Sequence, residues 1–129
     1  MRSPRPRVLL ADDYTDLLVA FKRLLATSCD VVGCVADGDA LFEAMARLQP
    51  DVLVVDLFIP PSSGLEICRH IKRVSPEALV IIVSASTDAE IAKEALRAGA
   101  SAFVNKAAAV ADLAPAIQRA MATRSSPDS

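Results

Sequence analysis

Apolar runs alternate five times with stretches whose apolar residues recur at three- and four-residue spacing. "RVLLA" (7–11) reads as a strand, and "YTDLLVAFKRLLATS" (14–28) carries Leu17, Leu18, Phe21, Leu24 and Leu25 at helical spacing. "DVVGCVA" (30–36) is a second strand, and "GDALFEAMARLQ" (38–49) is a helix that Pro50 closes. "DVLVVD" (51–56) is the third strand, followed by a Pro/Ser loop and the helix "GLEICRHIKRV" (64–74). "ALVIIVSA" (78–85) is the fourth strand. "TDAEIAKEALRAGA" (87–100) is a helix with Thr87 as its N-cap and Gly99 where a left-handed residue is wanted. "SAFVN" (101–105) is a short fifth strand, and "VADLAPAIQRAMA" (110–122) is a last helix. A start at Asp112 or Leu113 would put Pro115 in its harmless first turn. Strands this continuously apolar need both faces covered, so the pattern predicts an α/β domain with a doubly wound, five-stranded parallel sheet.

Composition narrows the picture. A chain of 129 residues, 53% of them hydrophobic, fits one domain with a core that needs no staples. The net charge of −2 argues against direct nucleic-acid binding by this domain. Three cysteines (Cys29, Cys34, Cys68), with no CxxC and no companion histidines, read as small buried hydrophobes in a reducing compartment. No apolar run approaches the ~20 residues of a membrane span, and "MRSPRPR" lacks a signal peptide's apolar segment. The expectation is a cytoplasmic domain over 7–121, preceded by a disordered basic lead-in (1–6) and followed by a tail or linker start (122–129).

In such a sheet, ligands bind beyond the carboxyl ends of the strands. The first strand ends in Asp12-Asp13, the third in Asp56, the fourth in Ser84-Ala85, and the fifth just before Lys106. Three acids, a hydroxyl and an amine thus converge on one rim. Clustered carboxylates repel one another and call for a cation, and hard oxygen ligands suit Mg²⁺. Each residue alone would pass for a helix start or a loop acid; four strand ends together define a site. The first strand-to-helix turn, "ADDYTD", has no glycine, which removes dinucleotide and Walker-type phosphate loops. The single histidine, His70, sits mid-helix away from the rim and reads as a solvated surface residue.

With "LLADD", "VVDLFIPPSSG", "VIIVSA" and "GASAFVNK" in place, residues 7 to about 121 resemble the receiver domain of two-component response regulators. The resemblance implies strand order 2-1-3-4-5 with five helices. It implies Asp56 as phosphoacceptor, Asp13 as direct Mg²⁺ ligand, Asp12 acting through water, and the backbone carbonyl of Phe58 completing the ligands. Ser84 takes the switch hydroxyl position, Phe103 the switch aromatic position, and Lys106 the phosphate-binding lysine position. The implied partners are a sensor histidine kinase or phosphotransfer protein. Ser84 and Phe103 lie between the acid site and the face of helix four, strand five and helix five, so self-association through that face is a further expectation. Glu90, Lys93, Glu94 and Arg97 read either as mixed-sign partner-selecting charges or as an ordinary solvated face.

Two departures stand out. Many receivers have proline after the lysine; Ala107 here resembles receivers attached to LuxR-type helix-turn-helix outputs. The loop "IPPSSG" lacks the usual Met and Asp, and bulky Phe58 either shields the phosphoryl group from water or caps the core. Two other readings compete. An aspartyl phosphatase of the haloacid dehalogenase kind would place a second Asp where Phe58 stands, and would need a longer chain. A pseudo-receiver would serve only as an interaction module, which the complete set of site residues argues against.

Overall fold

The computed structural model describes residues 5–125. Five strands, β1 (Arg7–Ala11), β2 (Asp30–Val35), β3 (Val52–Asp56), β4 (Leu79–Ser84) and β5 (Ala102–Asn105), form one parallel sheet in the order β2-β1-β3-β4-β5. The connecting helices are α1 (Thr15–Leu25), α2 (Gly38–Leu48), α3 (Gly64–Val74), α4 (Ala89–Arg97) and α5 (Ala109–Ser125). Fold class and strand order match the expectation.

Alternating side chains of the central strands feed two separate cores, as a period of two requires. Val8, Leu10, Val52, Val54, Ile81 and Val83 pack with Leu18, Phe21 and Leu25 of α1 and Leu113 and Ile117 of α5. Leu9, Leu53, Val55, Val80 and Ile82 pack with Leu41 of α2, Ile67 and Ile71 of α3, and Ala95 of α4. β1, β3 and β4 are almost wholly buried, whereas β2 at the sheet edge is exposed at Asp30 and Cys34. Each fully buried Leu, Ile or Val contributes about 1.5–3 kcal/mol, so these two layers dominate stability. Cys29 and Cys68 are buried as expected; Cys34 is not, because an edge strand covers only one of its sides.

Several boundaries differ from the sequence reading. The N-cap of α4 is Asp88, not Thr87: its carboxylate accepts from the Glu90 N–H at 2.9 Å. Gly99 does adopt the left-handed conformation after that helix, at φ +106. α5 begins at Ala109, after a 3₁₀ turn (Lys106–Ala108) that Asn105 caps, so Pro115 falls inside the helix. The missing N–H there would have bonded the carbonyl of Ala111, an exposed residue that water can reach. Burial of Leu113 and Ile117 outweighs the loss of about 3 kcal/mol. The helix runs to Ser125, past its expected end at 122.

The lead-in is also shorter than expected. Arg5 donates to the carbonyls of Ala26 and Cys29, and the Pro6 carbonyl accepts from the Asp30 N–H at 2.8 Å, so both residues belong to the domain. The rest of the expected lead-in (1–4) and of the tail (126–129) lies outside the described residues. At the amino ends of the strands, Asp51 accepts from the Arg7 N–H (2.9 Å) and from the Arg124 guanidinium (3.0 Å). Burial pushes its carboxyl up, but the Arg7 N–H and Arg124 more than offset that and hold it below the usual range.

Candidate functional site

At the opposite ends of the strands the expected acids meet. Asp12, Asp56 and Ser84 are the buried polar or charged residues among those described, at 2%, 5% and 1% exposure. Asp56 closes β3 and Asp12 follows β1 directly, so the pairing of these two strands fixes both carboxylates side by side. Lys106 reaches in from the end of β5, its Nζ 3.0 Å from Oδ2 of Asp12 and 3.2 Å from Oδ1 of Asp56. Asp13 is exposed, yet Asp12, Asp13 and Asp56 each offer an oxygen within 4.8 Å of the others.

The electrostatics follow from this crowding. Burial pushes the Asp56 carboxyl above its ordinary value and the Asp12 charge adds to the rise; Lys106 and the Phe58 N–H pull against it. Burial lowers Lys106, but its bonds to Asp12 and Asp56 overcompensate, and the ammonium holds its proton more firmly than usual. Oδ1 of Asp12 accepts from the Tyr14 N–H at 2.9 Å. Its Oδ2 is buried, and among the described residues it is met by the Lys106 ion pair and by no other hydrogen-bond donor. An all-oxygen acid set with one such atom fits a hard divalent cation such as Mg²⁺.

Local sequence explains how the acceptor loop is built. After Asp56 the chain forms a two-residue antiparallel ladder, Phe58–Ile59 against Ser62–Ser63, around a cis Pro60-Pro61 peptide. Ser63 then caps α3, accepting from the Glu66 N–H, while the Ser62 hydroxyl donates to Glu66 at 2.9 Å. Gly64 starts the helix directly against the acceptor: a Cβ there would lie 2.6 Å from the Asp56 carbonyl oxygen. Phe58 is 72% exposed, so of its two readings the one that caps the core is excluded.

Ser84 lies one residue beyond Val83, which is the register partner of Asp56. Its Oγ accepts from the Ser86 N–H at 3.0 Å, and Asn105 donates to the Ser86 carbonyl at 2.9 Å. Phe103, opposite Ile82, is half-buried against the core that holds α4. The role of Asn105 in holding both the loop after β4 and the turn bearing Lys106 escaped the sequence reading; an Asn directly before a turn is the cap signal that could have found it. The charges of α4 pair mostly along the helix, Lys93 with Glu90 (3.4 Å) and Arg97 with Glu94 (3.2 Å). That is what a solvated face does.

A doubly wound α/β module with buried acids and a lysine at its strand ends defines a class of signalling domain rather than a fold alone. The chain belongs to the response regulator receiver domain family, whose description matches residues 8–118. Receivers are phosphorylation-dependent modules that regulate an output. Among solved structures, a LuxR-family response regulator from Aurantimonas is 31% identical with a TM-score of 0.87, over 96% of this chain and 91% of that one. The receiver domain of NarL from Mycobacterium tuberculosis is 26% identical with a TM-score of 0.84, over 91% of this chain and 96% of that one. The transcriptional activator DevR/DosR of Mycobacterium tuberculosis is 34% identical over 92% of this chain. A protein-glutamate methylesterase of Geobacter metallireducens is 38% identical over 71% of it. The chain spans 56% and 27%, respectively, of the lengths of those two relatives. No helix among the described residues is long and apolar enough to cross a membrane.

Proposed function

We propose that Asp56 accepts a phosphoryl group from a histidine of a sensor kinase or phosphotransfer protein. The observation that carries the reading is the buried Asp56 carboxylate held 3.2 Å from the Lys106 ammonium. An Asp56 oxygen attacks phosphorus, the phosphorus–nitrogen bond breaks, and its electron pair leaves with the donor imidazole. A carboxylate ionised at neutral pH needs no general base for this. Lys106 neutralises charge on the transferring group. Asp12, Asp13, Asp56 and the Phe58 carbonyl would hold Mg²⁺, which when bound supplies further neutralisation of phosphoryl charge. Tyr14, Phe58 and Val110 are exposed apolar residues on the loops and helix start around this rim, and they suit an approaching protein donor better than a free small molecule.

The product adds charge and acceptor oxygens that draw the Ser84 hydroxyl and the Lys106 ammonium. Movement of Ser84 frees space on the sheet face it shares with Phe103, and the ring turns further inward. The face of α4, β5 and α5 changes as a result, a population shift driven by differential contacts. Likeness to LuxR-family regulators supports a helix-turn-helix output in a longer chain, self-association through that face, and a cytoplasmic location. Intact-mass measurement after acetyl phosphate treatment, with and without Mg²⁺, tests the acceptor. One phosphoryl mass is expected on the wild type only with Mg²⁺ and none on Asp56→Asn; equal labelling of the variant would sink the assignment.

A further inference from the structure

A groove of about 460 Å³ runs between α2 and α3, lined by none of the acids of the site. Phe42, Ser62, Glu66, Arg69, His70 and Arg73 line it, with buried Ile67 at its base. Positions 66, 69, 70 and 73 recur at three- and four-residue spacing, so one face of α3 presents all four. Donors outnumber acceptors there. Glu66, the groove's one carboxylate, already accepts from the Ser62 hydroxyl. Arg73 pairs with no carboxylate among the described residues, and its contact is the His70 Nδ1 at 3.4 Å. A guanidinium can only donate, so Nδ1 accepts and the other ring nitrogen remains a donor. The His70 ring is steadied edge-on by Phe42, with centroids 4.9 Å apart. Among the described residues Arg69 has one ion pair, with Glu94 at 3.9 Å and both side chains about half exposed, a pair worth little.

We propose that this groove docks an acidic segment of a partner protein, with two carboxylates one helical turn apart and an apolar side chain between them. The planar forks of Arg69 and Arg73 match carboxylates in paired hydrogen bonds. Phe42 and Ile67 offer the apolar side chain a floor. A small anion would meet the guanidiniums but leave the ring and most of the volume unused. The occupant would also touch Ser62, in the hairpin that follows Asp56, so docking is felt next to the acceptor.

Amide NMR on the unphosphorylated, metal-free domain tests this without reference to phosphoryl chemistry. The probes are a synthetic helical Glu/Leu peptide, its Gln/Leu counterpart and inorganic phosphate. Expected is a saturable shift of Ser62, Glu66, Arg69, His70 and Arg73 signals with the Glu/Leu peptide. Affinity should fall at least about tenfold for the Gln/Leu peptide and for Arg69→Ser with Arg73→Ser, both exposed positions. Absence of a saturable shift, undiminished binding by either control, or phosphate reproducing the shifts at the same affinity would each overturn the proposal.

Discussion

Replacing Gly64 by alanine sets two effects against each other, and their sizes decide the sign. Alanine is the better helix former by about 0.5–1 kcal/mol, so propensity alone predicts a gain. The new Cβ, however, would stand 2.6 Å from the Asp56 carbonyl oxygen and 3.0 Å from Cα of Leu57. Ordinary contact begins near 3.4 Å, so one side must give by roughly 0.8 Å. Both atoms are backbone, held by Gly64 N–H to Leu57 (2.8 Å) and Leu57 N–H to Val83 (2.9 Å). Overpacking against backbone, which cannot swing aside, falls in the upper part of the usual range at about 2–3 kcal/mol, leaving a net loss of about 1–2.5 kcal/mol. For a domain of this size the melting temperature should fall by about 3–10 °C. Because the displaced carbonyl belongs to Asp56 itself, its carboxylate shifts against Lys106, and phosphorylation by acetyl phosphate should slow about tenfold or more. Urea unfolding followed by circular dichroism, with intact-mass time courses, measures both. An equally or more stable variant that labels at the wild-type rate would refute the close approach.

Asp13→Ala should abolish Mg²⁺ binding with the fold intact, and calorimetric titration giving wild-type affinity would remove Asp13 from the ligand set. Without metal, Asp56→Asn should stabilise the domain at pH 7, because the folded state disfavours the ionised carboxyl. The folded carboxyl is raised, so its penalty is absent below the unfolded value near 3.9, builds up as pH rises from there to the folded value, and is constant above it; a gain that persists at pH 3 would contradict this. Asp51→Asn should do the reverse, losing about 1–2 kcal/mol at pH 7. The lowered folded carboxyl gives stability above the unfolded value that is lost as pH falls through the folded one, so the two urea curves should converge in acid. Phe58→Ala should change stability by less than about 0.5 kcal/mol while shortening the phosphorylated lifetime, and an unchanged decay rate would leave the ring without a shielding role.

The sheet was legible because β1, β3 and β4 are buried on both faces and show it as unbroken apolar runs. The acid cluster was legible because Asp12, Asp13 and Asp56 stand at strand ends, where topology alone brings them together. Other features carry no local signal. Thr87 and Asp88 are both able to cap a helix, and only the backbone angles select between them. A ladder of two residues per strand is too short to display a period, so Phe58 beside an apolar strand read equally well as core. Asp51 meets Arg124 across 73 positions, a pairing no local pattern can announce. Pro115 was misjudged because the exposure of Ala111 is a property of packing.

The two cores on either side of the sheet touch only through backbone. Substitutions in the layer under α1 and α5 and in the layer under α2, α3 and α4 share no side-chain partners, so their effects on stability should add. Phe103 packs against the second layer, and Ser84, two residues after Ile82, points to the same face of the sheet. Sequence drift can therefore remodel the α1–α5 side while the switch side keeps its shape, and a volume error on one side must be repaired on that same side.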